Sequence, residues 1–242
     1  MIGSKKVLSV ITARANSKGL PGKNYKQLAG KPLFMWSVDH SINSVHTDLT
    51  VVSSNCPHVQ RIVEEDESLQ NRSDFLFIKR PDELAGPDSK NEDALIHAME
   101  AVKEKLDFKA DWIANLQPTS PIRRDGLLDE CLVTACYKGV CSSFTVSVHT
   151  PFFTAFNVRG YWEKLGNSQL FKRPMRQQLR KQDFFYHDCG SVYVISASEL
   201  CFHHNRIATA FVCIPVSDTE ALQIDTEEDF KIIEAAMSTR NF

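Results

Sequence analysis

The stretch from Val7 to Asn24, VLSVITARANSKGLPGKN, constrains the fold most. It starts as Val7-Leu8-Ser9-Val10-Ile11, a short apolar run rich in β-branched residues. Such a run suits a strand buried on both faces of a parallel sheet. It then breaks into a loop carrying Arg14, Asn16, Ser17, Lys18, Gly19, Pro21, Gly22, Lys23 and Asn24. In an open α/β sheet, ligands bind outside the carboxyl ends of the strands. Cations and small residues with free backbone N–H groups at that place are what a polyphosphate needs, because glycine lets the backbone approach closely. The first expectation is a nucleoside-triphosphate site. The loop has neither the Gly-x-x-x-x-Gly-Lys-Ser/Thr nor the Gly-x-Gly-x-x-Gly spacing, which disfavours a P-loop ATPase and a classical dinucleotide fold.

Further short apolar runs follow at Leu49–Val52, Asp74–Ile78, Trp112–Leu116, Val140–Val148, Gly190–Ile195 and Phe211–Pro215. Helical segments separate the early ones: one beginning at Pro32, others at His58–Glu67, Glu92–Leu106 and Leu127–Tyr137. Leu95, Ala98, Met99 and Val102 recur at helical spacing. Thr226 stands where it can N-cap a last helix, with Glu227, Glu228 and Asp229 at the positive end of its dipole. Regular strand–helix alternation predicts an α/β fold, a mostly parallel, Rossmann-like sheet with helices on both faces. Its strand ends should line one rim holding the Arg14–Asn24 loop, Ser54-Asn55, Arg80 and Gln117. The 242 residues suffice for one large domain, 1–242. Residues 149–186 have a loose aromatic and basic texture and read as an insertion whose apolar residues need a partner surface.

A net charge of −2 gives no general nucleic-acid or membrane surface, so the cations of the first loop are a local feature. No apolar run approaches a membrane span, and the polar start MIGSKK does not resemble a signal peptide, so a cytoplasmic location is expected. Seven cysteines without a C-x-x-C pair predict reduced, mostly packed thiols. His149 and His187 read as structural or surface residues.

Four segments carry a family resemblance. Ala13–Asn24 resembles a nucleotide-binding signature, Arg80-Pro81-Asp82-Glu83-Leu84-Ala85 a second motif, Leu116–Arg123 (LQPTSPIR) a third, and Ile224–Asp229 a closing metal-site motif. Together they resemble the cytidylyltransferases that activate nine-carbon α-keto acid sugars: the synthetases of CMP-sialic, legionaminic and pseudaminic acids. The resemblance implies a nucleotidyltransferase fold, CTP and Mg²⁺, and a homodimer whose inserted segment reaches toward the partner's site. It implies that Arg14, Asn16, Ser17, Lys18, Gly19, Lys23 and Asn24 hold the nucleotide, joined by Arg80 and Asn91. Gln117, Thr119, Ser120, Phe153, Arg176 and Gln177 would meet the sugar, Arg176 competing with Arg173 and Arg180 for its carboxylate. Asp225 would bind Mg²⁺, and Arg14, Lys23 and Asp225 would serve the chemistry.

The match departs in three places. Where the sialate motif has two carboxylates, this chain has Gln223-Ile224-Asp225. The second strand ends Ser53-Ser54-Asn55 rather than in an acid. The lysine that sialate enzymes carry near Phe153 is missing; Thr150–Thr154 resembles legionaminate-type relatives, and Tyr186–Gly190 pseudaminate-type ones. These departures point away from plain N-acetylneuraminate and toward one Mg²⁺ carried chiefly by the triphosphate. Two other readings stay open: the same fold with another nucleotide or keto acid, such as a guanylyltransferase or an eight-carbon acid, and a catalytically silent nucleotide-binding module.

Overall fold

The computed structural model describes residues 2–15, 17, 19–166 and 168–239. In chain order its elements begin with β1 (Val7–Thr12), a small ribbon of β2 (Gln27–Leu28) and β3 (Lys31–Pro32), α1 (Leu33–Ile42), β4 (Leu49–Ser54), α2 (Pro57–Glu65), α3 (Glu67–Gln70) and β5 (Phe75–Lys79). They continue with α4 (Asn91–Leu106), β6 (Trp112–Leu116), α5 (Leu127–Lys138), β7 (Ser142–His149), a hairpin of β8 (Thr154–Phe156) and β9 (Trp162–Lys164), β10 (Phe185–Ser196), α6 (Ala197–His203), β11 (Phe211–Pro215) and α7 (Glu227–Ser238).

Seven strands form the main sheet in the order β11-β7-β10-β6-β1-β4-β5. β1 lies between β4 and β6 and pairs parallel with both. β10 runs antiparallel to β6 and β7; the remaining pairings are parallel. The mostly parallel sheet expected from the alternation is therefore present, with one reversed strand. β7 and β10 pair antiparallel, so the chain between them leaves the sheet and returns as an excursion rather than a βα crossover.

Residues two apart on a strand face the same side, and the two cores show it. Val7 and Ile11 of β1 meet α1, α2 and α5 through Phe34, Val38, Val59, Leu128 and Leu132. Leu8 and Val10 meet α4 and α6 on the other face, through Leu95, Ala98, Val102 and Leu200. A third cluster seats α7 beside the first loop: Phe230, Ile233 and Met237 pack with Leu20, Leu28, Leu33 and Ile224. This brings the two ends of the sequence motif set together.

The segment 58–67, read as one helix, is two. Asp66 has extended ψ and its carboxylate accepts the N–H of Ser68, so it caps α3 instead of continuing α2. The expected cap of the last helix is a reciprocal capping box: Thr226 Oγ1 accepts from Asp229 N at 3.2 Å, and Asp229 Oδ2 from Thr226 N at 2.8 Å. The Thr226 hydroxyl, which donates to Asp229 Oδ2 at 2.8 Å, and then the Thr226 and Asp225 N–H groups hold the Asp229 carboxyl below its ordinary range. The β8–β9 hairpin projects Phe156, Tyr161 and Trp162 into solvent, and Ser168 anchors its base by bonding Phe153 N and Pro151 O. All seven cysteines are free; Cys56, Cys131 and Cys189 are buried. No helix among the described residues is long and apolar enough to cross a membrane.

Candidate active site

Beyond the carboxyl ends of β1, β5 and β6 lies a cleft of about 360 Å³, within the usual size range of ligand pockets, roughly 300–1,000 Å³. Arg14, Ser17, Gly19, Lys23 and Asn24 of the first loop line it. So do Arg80 after β5, Asn91 at the start of α4, Gln117 and Thr119 after β6, and Asp225 before α7. The expected rim thus forms, except at the end of β4: neither Ser54 nor Asn55 lines the cleft.

Several wall residues are held by bonds the fold supplies. Arg14 donates to Gly86 O at 3.1 Å, and Asn24 Nδ2 donates to Arg14 O at 2.8 Å, so the loop is clasped from both sides. Lys23 Nζ donates to Ile224 O at 2.7 Å and to Asp225 Oδ1 at 3.1 Å. Gly19 sits so close to Asp225 that a Cβ there would strike the Asp225 carbonyl. Asn91 Nδ2 donates to Asn115 Oδ1 at 2.8 Å, and Asn115 in turn to Val10 O, tying the N-terminus of α4 to the central strands. That terminus adds its own partial positive charge to the cleft.

Arg80 is 4% exposed. It donates to Ser53 Oγ at 3.1 Å and to Ser53 O at 2.6 Å. Burial and then the like charge of Arg14 push its pKa down to about 10. Among the described residues, four cations line the cleft (Arg14, Lys23, Arg80 and Lys90) against the single carboxylate of Asp225. A cleft that holds cations against each other is built for a polyanion.

The other expected site residues lie elsewhere. Ser120 is fully buried, with a hydroxyl that finds no partner among the described residues. Phe153 packs its ring 5.8 Å from His149 and 5.2 Å from Phe185 at the root of the insertion. Arg176 and Gln177 are exposed on a 3-10 turn of the insertion and do not line the cleft of their own chain. Asn16 and Lys18 lie outside the described residues. Thr12, Leu84, Ser89, Lys90 and Pro118 line the cleft unforeseen. For Ser89 and Lys90 a signal existed: a polar, breaker-rich loop running directly into a strong helix.

The two lost acids have structural successors. Asn55 Oδ1 accepts Ala15 N, and its Nδ2 donates to Asp82 Oδ1, both at 2.9 Å. Only an amide does both, since a carboxylate would face Asp82 with like charge. Asn55→Asp is expected to lower Tm by about 2–4 °C, for a loss of ~1 kcal/mol. Thermal unfolding in low salt checks this, and an unchanged Tm refutes it. Gln223 donates from Nε2 to Cys189 O, beside Gly190 at φ +67°, where any Cβ would collide with the Gln223 amide. It bridges the closing motif to the irregularity in β10.

Among the described residues, no three His, Cys, Asp or Glu side chains group as a metal cage. Asp225, with its side chain 71% exposed, offers one carboxylate. That fits a Mg²⁺ held mostly by substrate phosphates and water, and does not fit an all-protein cage.

A family model described as cytidylyltransferase matches residues 8–234. The chain belongs to the cytidylyltransferase family. Among its relatives, the CMP-N,N'-diacetyllegionaminic acid synthase of Legionella pneumophila is 27% identical to this cytidylyltransferase, over 96% of each chain. The N-acylneuraminate cytidylyltransferase of Escherichia coli O18:K1:H7 is 31% identical over 98% of this chain, which spans about half (53%) of that relative. The fold matches that of a CMP:2-keto-3-deoxy-manno-octonic acid synthetase solved with CTP, at a TM-score of 0.65 and 15% identity, over 97% of this chain and 99% of that one.

Proposed function

We propose that this cytidylyltransferase joins CTP to a nine-carbon α-keto acid sugar, giving the CMP-sugar and pyrophosphate. The observation that carries the reading is the cleft with four cations and one carboxylate, in a chain of this family. The full-length similarity to a legionaminate-type synthase supports the nine-carbon acid. In the reaction the sugar's anomeric hydroxyl oxygen bonds to the α-phosphorus, and the bond from that phosphorus to the β-phosphate oxygen breaks. Positioning and charge neutralisation are what such transfers ask of the protein.

Arg14, Lys23 and Arg80 hold the triphosphate oxygens and stabilise the charge that gathers on departing pyrophosphate. Asn24 and Asn91 keep the loop and the head of α4 in place. Gln117 orients the sugar through its amide, with Thr119 beside it. Mg²⁺, when bound, neutralises phosphate charge, with Asp225 as its protein carboxylate. Lys23 and Asp225 are paired at 3.1 Å in the free protein, so a metal–triphosphate gives each a new partner of opposite charge.

The exposed rings of the β8–β9 hairpin support a homodimer, in which Phe153, Arg176 and Gln177 would cover the sugar in the partner's cleft. The silent-module alternative loses its sequence support, because Asn55 and Gln223 have structural roles of their own. The test is pyrophosphate release with Mg²⁺, each of CTP, GTP, UTP and ATP, and a panel of neuraminic, legionaminic, pseudaminic and eight-carbon keto acids. Release with CTP and a nine-carbon acid is expected. Turnover only with another nucleotide, or none while CTP is bound, overturns the reading.

A further inference from the structure

Arg123 stands apart from the cleft's other cations. It is 3% exposed, does not line the cleft, and has no ion-pair partner among the described residues. Burying a guanidinium without a counter-ion is costly, and an apolar side chain of similar volume would fill the space more cheaply. The titratable groups that feel its charge are both short of negative charge: the buried Cys189 thiol, raised by burial, and His40, held down to about 3 by its own burial and then by Arg123. So packing does not explain the residue.

Its bonds do. Nη2 donates to Gln117 O at 2.7 Å and to Ser191 O at 3.0 Å, and Nη1 to Ser37 Oγ at 3.0 Å; Nε finds no partner among the described residues. Ser191 O also accepts the N–H of Gln117 at 3.3 Å. Both backbone polar groups of Gln117 are therefore held: its N–H by β10, and its carbonyl by Arg123 at 2.7 Å, with longer bonds from Ser120 N at 3.2 Å and Ser37 Oγ at 3.3 Å. Ser191 directly follows Gly190, where the pairing of β10 with β7 slips and Gln223 makes its bond. Arg123 thus joins the end of β6, the irregularity of β10 and the first turns of α1 at the point from which Gln117 enters the cleft. The triphosphate cations Arg14, Lys23 and Arg80 belong to other segments and share none of these bonds.

We propose that Arg123 is a positioning residue for the acid sugar: its buried fork locks the Gln117 peptide and so sets the KM of the sugar while leaving that of CTP nearly unchanged. The inference rests on the reading of Gln117 as a sugar contact. A lysine in its place keeps a charge but cannot span two carbonyls and a hydroxyl in fixed geometry.

The test compares wild type with Arg123→Lys in two arms. In the kinetic arm, the KM of the best nine-carbon acid is expected to rise about tenfold to hundredfold, with that of CTP within about threefold. In the second arm, hydrogen–deuterium exchange of the free protein is expected to quicken at Gln117, Thr119 and Ser120 and to stay unchanged in β1 and α4. Equal changes in both KM values, no change in either, or exchange that is unaltered or raised throughout the sheet each overturn the proposal. If wild type turns over no acid, the functional reading fails, and the exchange arm alone decides whether Arg123 orders this peptide. If Arg123→Lys does not fold, Ser37→Ala removes one of the three anchors and is read in the same two arms, with a smaller split of about threefold expected.

Discussion

On the proposed reading, Lys23→Ala is expected to lower kcat/KM for pyrophosphate release by about a hundredfold to a thousandfold, the usual loss when one preorganised donor to developing charge is removed. The free protein already holds Lys23 in place. Its side chain is 11% exposed, and its ammonium is aimed by Ile224 O and Asp225 rather than waving in solvent. Low exposure reduces dielectric screening, so its charge acts on phosphate more strongly than a surface lysine would. Because Lys23 also ties the first loop to the closing motif, some affinity for CTP goes with it. Steady-state kinetics at saturating and limiting CTP separate the two effects: kcat should carry most of the loss. A fall of less than tenfold would sink the assignment. Thermal unfolding of the variant guards against a trivial loss of fold, since α7 keeps its capping box and its apolar seat without Lys23.

Arg80→Met weakens CTP binding by about tenfold to hundredfold, yet leaves the Tm of the free protein within about 3 °C. The two halves of this expectation have one cause. Arg80 is buried near another guanidinium, and burial, then that like charge, pushes its pKa below the ordinary arginine range, to about 10. A base whose folded pKa lies below its unfolded value is penalised in its charged form. The penalty is fully present at neutral pH and is relieved only as pH rises through about 10 toward the ordinary arginine range. Methionine removes that penalty and fills most of the space, at the loss of the bonds to Ser53. A triphosphate gains from the same charge, so the ligand-free and ligand-bound proteins respond differently. Calorimetry of CTP binding beside thermal unfolding checks both halves. If Tm collapses while CTP affinity holds, Arg80 is a structural residue and the cleft reading is wrong there.

Much of this was legible in the chain. The period-two burial of β1, with Val7 and Ile11 on one face and Leu8 and Val10 on the other, follows from an apolar run that has no polar side to turn outward. The loop after it was expected to hold an anion from its cations, its glycines, its place after the first strand and the family resemblance, and the structure puts its Arg14 and Lys23 in the cleft. Arg80 and Gln117 stood at strand ends in the sequence, and a parallel sheet brings such ends to one rim. Less visible was the partner of each group. That Asn55 joins Ala15 to Asp82, and that Gln223 reaches Cys189, depend on contacts across 27 to 40 positions. From sequence, Gln223 read as a lost metal carboxylate and Asn55 as a lost negative charge.

Periodicity and near neighbours in the chain were enough to read the alternating α/β architecture, the cation-rich loop after the first strand and the cap of the last helix. Which residues share the cleft depends on packing. It seats α7 against the first loop through Leu20, Leu28 and Leu33, and so sets Asp225 beside Lys23 and Gly19. It also buries Arg123 without a counter-ion behind Gln117. The physical reason is that charge acts through space: pairing, repulsion and desolvation depend on distances that only the packed chain defines.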